Sequence, residues 1–184
     1  MSTILDQELT TTTTWNIDAA HTDVGFEVKH LMISKVRGRF GAVTGTITLD
    51  AAEPSHSSVV AEIDVRSIDT RQEQRDEHLR SGDFFDVERF PSISFRSTRV
   101  HAVGGTLVVT GDLTIRDVTR EVVLSVTDEG RGKDPWGGDR AAFSASTVID
   151  RRDFGLGWNQ ALETGGVLVG NDIRITLEVQ AVRA

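Results

Sequence analysis

From Asp23 the chain reads DVGFEVKH to His30, and from Val43 it reads VTGTITL to Leu49. In the first stretch Val24, Phe26, Val28 and His30 alternate with Gly25, Glu27 and Lys29; in the second Val43, Gly45, Ile47 and Leu49 alternate with Thr44, Thr46 and Thr48. Successive side chains of a strand point to opposite faces, so each stretch reads as a strand with one apolar face. The same period recurs at Val59 to Val65, at Ile93 and Phe95, at Leu107 to Ile115, at Val122 to Val126, at Phe143 to Ile149 and at Ile173 to Val179. About eight short strands separated by turn-rich segments point to an all-β sandwich or barrel. Glycines in or beside strands, at Gly38, Gly41, Gly45 and Gly111, permit the sharp bends that a closed barrel needs and favour the barrel.

One segment breaks the period. Thr70 to Ser81, TRQEQRDEHLRS, lacks Gly and Pro, is rich in helix formers and ends against Gly82, which predicts the one main α-helix. Asp128 to Arg140, with its Gly, Pro and charge cluster, reads as the most mobile loop, and Gly155 to Gly170 as a second. Residues 1–14 read as a flexible N-terminal lead, and 15–184 as a single domain, a size at which one core is the economical solution.

Composition narrows the function. The net charge of −8 argues against nucleic acid, whose phosphates call for clustered Lys and Arg. With no cysteine there are no disulfides, thiolate metal sites or cysteine nucleophiles. The first fifteen residues show no basic region followed by an apolar run, so no signal peptide is expected and a cytoplasmic location is. No stretch approaches the ~20 apolar residues of a membrane span. Tyr is absent, which leaves the apolar faces poor in hydroxyls and better suited to a hydrocarbon than to a polar substrate.

Specific strings add to the pattern. Trp15, Ile17, Asp18, His21, Thr22, Phe26, Val28 and His30 reproduce an opening of Trp, an Ile-Asp pair, His with Ser or Thr, then F-x-V-x-H. HLRSGDFFDVERFPSISFRST follows from His78, GDLTIRDVTREVVL from Gly111, RRDFGLGWN from Arg151 and VGNDIRITLEVQA near the end. In this order the strings resemble the YceI-like family, from Trp15 to Ala181. The resemblance implies a lipocalin-like, single antiparallel up-and-down barrel that binds polyisoprenoids, isoprenoid quinones or related amphiphiles in a long apolar channel. On that reading the partner is a hydrophobic or amphiphilic small molecule held as ligand, with no cofactor; a homodimer is compatible with it.

The inward positions Val24, Phe26, Val28, Phe40, Ile47, Ile63, Phe95, Leu113, Phe143 and Leu177 are the candidate lining, joined by Phe154 and Trp158 at a mouth. Period alone leaves open whether such residues surround a ligand or fill a core. His30 and Arg152 are the candidates to meet a polar headgroup, the latter against the bland alternative of a solvated ion pair in the run Asp150 to Asp153. An enzyme acting on a lipid headgroup would draw its acid or base from His21, Asp23 or His30, and a ligand-free stress-related barrel would need none of them. His56, His78 and His101 have no metal-ligand spacing, no catalytic motif is visible, and no metal is expected. The helix, the DFFD turn at Phe84 and Phe85, and the segment through Trp158 are expected to border the entrance.

Overall fold

The structure, a computed structural model, describes residues 11–184. The strands are β1 (Thr12–Ile17), β2 (Asp23–His30), β3 (Ser34–Phe40), β4 (Val43–Asp50), β5 (Ser58–Asp64), β6 (Ile68–Asp69), β7 (Ser92–Val103), β8 (Thr106–Ile115), β9 (Val118–Lys133), β10 (Asp139–Asp150) and β11 (Val169–Arg183). All pairings are antiparallel, and β11 closes the ring by pairing with β2 through its first part and with β1 through its last.

Eight positions around the barrel follow from three interruptions. A 3-10 turn at Ala19–His21 breaks β1 from β2, Gly41 and Ala42 separate β3 from β4, and another 3-10 turn at Val65–Ser67 separates β5 from β6. Each pair acts as one bent strand, because β1 lies on β4 while β2 lies on β3, and β5 lies on β4 while β6 lies on β3. The result is an eight-stranded up-and-down barrel, with local bends relieving the strain of closure.

Two glycines are required by the interior. A Cβ at Gly38 would strike the Phe26 ring, and one at Gly111 would strike the Phe95 ring. These aromatics lie flat across the neighbouring strand only because a side chain is missing beneath them. The far end of the barrel is closed by Trp15, Ile47, Ala141, Phe143 and Ala181, and the larger core cluster lies toward the other end.

That other end carries the helix α1 (Glu73–Arg80) and the connections around it. The helix is shorter than expected: Thr70 is held out of it, donating through its backbone N–H and its hydroxyl to the buried Asp76 carboxylate, and the Gln72 side chain caps the first turn by accepting from the Arg75 N–H. The expected loop from Asp128 to Arg140 is mostly strand. β9 and β10 pair out to Lys133 and Asp139, with an extra residue at Glu129 accommodated beside Gly130 at φ 111°. Arg131 there stacks over Trp15 and Phe143, so poor strand formers are held by their neighbours' aromatic faces. The 155–168 segment is irregular, as its composition suggests. Of the expected N-terminal lead, residues 1–10 lie outside the described residues, while Thr12 to Thr14 belong to β1.

Candidate functional site: the barrel lumen and its mouth

The inward faces do not meet. Between them lies a cavity of about 300 Å³, walled by apolar side chains from the strands around the barrel and bordered by Ser57, Ser58, Thr22, Thr147 and Arg151. This is at the small end of the ~300–1,000 Å³ usual for ligand sites. Along β7 the lining runs from Ile93 to Val100, and a bulge between Ser97 and Arg99 restores the inward phase across that odd spacing. At about 3.3 Å per residue the lining spans roughly 23 Å along the strand, or about 16–19 Å along the barrel axis at a tilt of ~35–45°.

Val24, Phe26, Val28, Phe40, Ile47, Ile63, Phe95, Leu113, Phe143 and Leu177 all line this lumen. A second cavity of about 140 Å³ adjoins it, sharing Phe26, Val28, Leu79, Phe84 and Val169 as walls and adding Lys29, His30, Thr70, Arg75, His78 and Trp158. His30 and Trp158 are therefore at the helix end, in the more polar compartment. Phe154 lines neither cavity: the 3-10 turn at Arg151–Phe154 folds its ring into the core, 2% exposed. The cap over the lumen comes from Leu79, Phe84, Phe85 and Leu156. Phe85 sits edge-on to Phe40 with centroids 6.0 Å apart, which ties the cap to the wall. Trp158 is half-buried and makes a cluster with His78 and Phe84, at 4.7 and 5.3 Å between centroids.

The arginine that borders the lumen is Arg151, the neighbour of the candidate Arg152. Arg152 faces solvent and grips Asp150 through two nitrogens, at 2.6 and 3.0 Å, and this holds the Asp150 carboxyl down at about 2. Arg151 is 4% exposed and donates to the carbonyls of Gly170, Leu156, Trp158 and Val169. Burial pulls its guanidinium below the usual value, with Asp150 opposing. It pins the irregular 155–168 segment to β11 through backbone acceptors, a role that spacing alone does not mark.

His21 and Asp23 line neither cavity. The His21 ring is 58% exposed, with Nδ1 2.8 Å from Asp18; Arg140 joins the same carboxylate and, ahead of His21, lowers the Asp18 pKa. His56 lies 3.5 Å from Asp50, His78 lies 2.9 Å from Asp83, and His101 is exposed on β7. Among the described residues no three potential metal ligands converge. No helix of the described residues is long and apolar enough to cross a membrane.

The model of the YceI-like domain matches residues 15–181. The chain belongs to the YceI family. A UPF0312 protein of Pseudomonas aeruginosa is 37% identical over 166 residues, covering 90% of this chain and 84% of the relative. Among solved structures, the YceI protein of Campylobacter jejuni superposes with a TM-score of 0.72 at 32% identity, covering 91% of this chain and 96% of that one. A polyisoprenoid binding domain from Saccharophagus degradans, implicated in plant cell wall breakdown, shares the fold with a TM-score of 0.67 at 14% identity over 94% of this chain and 99% of that one. The lumen is thus built on a YceI barrel closed and capped by this chain's own residues.

Proposed function

We propose that this YceI barrel binds one long-chain isoprenoid, isoprenoid quinone or similar amphiphilic lipid, and carries or sequesters it without transforming it. The observation that carries the reading is the lumen of about 300 Å³ left open between apolar strand faces. A core without a ligand would be expected to close up, since unfilled apolar volume costs roughly 24 cal/mol per Å³ in lost contacts. The ligand-binding set is the ten lumen residues from Val24 to Leu177 with Trp158 and His30, and Phe154 supports the cap from beneath. The tail lies along the lumen. Its polar end occupies the smaller compartment, where His30 and Arg75 can donate to oxygen acceptors. The binding domain from Saccharophagus degradans supports the ligand class.

Energetics select a long tail. Each buried CH₂ contributes about 0.8 kcal/mol, so some fifteen carbons give on the order of 12 kcal/mol, comparable to the ~4–15 kcal/mol lost on association. Short tails bind weakly in such a site. Of the three acid or base candidates for an enzymatic reading, His21 and Asp23 lie away from both cavities and His30 alone borders the smaller one.

Trp158→Ala tests the arrangement. Its indole borders the polar compartment and touches His78 and Phe84, while being only half-buried. Dissociation of a fluorescent isoprenoid probe should be about tenfold faster, with the circular dichroism spectrum unchanged. Unfolding of the variant, or probe retention equal to wild type, would remove Trp158 from the mouth.

A further inference from the structure

The turn joining β2 to β3 is Leu31, Met32 and Ile33, which are 40%, 54% and 87% exposed. Leu31 and Met32 also hold left-handed backbone, at φ 54° and 64°. Glycine or asparagine would relax such a turn and would not expose apolar surface. Large apolar side chains kept at strained, solvent-facing positions point to a surface that they enter.

The charge around this tip is opposite to that of the chain. From Val28 to Leu49 there are Lys29, Lys35, Arg37 and Arg39 and no Asp or Glu, within a protein of net charge −8. Glu27 offsets one of these charges by pairing with Lys35 and Arg37 at 3.0 and 2.9 Å, and Asp69 lies 3.8 Å from Arg39. Lys29 and His30 remain beside the tip and also wall the smaller cavity. The turn is coupled to the mouth as well: the Leu31 N–H donates to the Leu168 carbonyl at 2.9 Å, and Met32 packs where a side chain on Gly166 would go.

We infer that the β2–β3 turn docks this barrel onto the surface of an anionic lipid bilayer, with Leu31, Met32 and Ile33 entering the headgroup layer and the flanking lysines facing lipid phosphates. An apolar tip with basic flanks is the usual composition of an interfacial anchor, where neither part holds alone. The acidic remainder of the chain is repelled by the same surface, so the protein is oriented with its mouth toward the bilayer. The ligand class in this inference rests on the reading above; the docking itself does not.

The test is sedimentation with vesicles of phosphatidylglycerol and phosphatidylethanolamine, and with phosphatidylcholine vesicles, none containing an isoprenoid. The protein is expected to bind the anionic vesicles at low salt, to release from them as salt rises, and to ignore the zwitterionic ones. Ile33→Glu and the double variant Lys35→Gln/Arg37→Gln, at residues that line neither cavity, should each weaken binding about tenfold, while both still take up a fluorescent isoprenoid probe in solution. Wild type that leaves anionic vesicles unbound, or variants that bind like wild type, would overturn the proposal. So would light scattering that shows a dimer split by Ile33→Glu, because the tip would then belong to a second copy. Failure of probe uptake with vesicle binding intact would count against the cargo reading alone.

Discussion

Ala145→Phe is expected to empty the barrel of ligand while leaving it folded. Ala145 lies on β10 between Leu177 of β11 and Val126 of β9, facing the lumen. Larger residues flank it along the strand, Phe143 toward the far end and Ile149 toward the cap. A benzyl group placed there crosses the channel that a tail must follow. Binding of a fluorescent isoprenoid probe should fall by about a hundredfold or more, since most of the tail's ~0.8 kcal/mol per CH₂ is forfeited. Stability should stay level or rise, because the new ring buries apolar surface in existing space. A packed interior would give the opposite result: overpacking costs typically ~1–3 kcal/mol, and thermal unfolding would show it.

Arg151→Met is expected to destabilise the protein by about 3 kcal/mol, or roughly 6–12 °C in Tm for a chain of this size. The guanidinium serves four backbone carbonyls in a nearly dry site, and a thioether serves none of them. Losses from orphaned acceptors are moderated because the variant no longer buries a charge. Since one of these bonds fixes the Trp158 carbonyl at 2.9 Å, probe dissociation should also accelerate. Arg152→Met, at a side chain 61% exposed, should leave Tm nearly unchanged. Equal Tm values for the two variants would show that Arg151 does not hold the mouth.

The barrel and its lining were legible because period two carries both. Once a strand's phase is known, Val24, Phe26 and Val28 must share a face, and closure turns that face inward. Positions where phase slips were harder to read. Val100 reaches the lumen only through the bulge after Ser97, and the β9–β10 hairpin survives its glycines and charges because Arg131 covers Trp15 and Phe143. β1 and β3 are hard to read for a related reason: TTTTWNI and SKVRGRF are polar or basic on one face and sparse on the other, and they are held by partners on either side.

The mouth was legible as a region and not residue by residue. The DFFD turn and the helix do supply Phe84, Phe85 and Leu79 to the cap. In RRDFGLGW, however, there is no strand phase to extend, and a single 3-10 turn decides that Arg151 and Phe154 point in while Arg152 points out. Adjacent arginines look alike in a sequence. Desolvation and four waiting carbonyls separate them in space.

The central claim is that the lumen holds a lipid tail, and extraction of the purified protein tests it most directly. Protein purified from cells without detergent would be extracted with organic solvent, and the extract identified by mass spectrometry alongside native mass spectra of the intact protein. The account predicts one isoprenoid-tailed molecule per chain, unmodified in its headgroup, and its absence from Ala145→Phe. A wild-type protein that carries no such molecule and also refuses an added long-chain isoprenoid would contradict it.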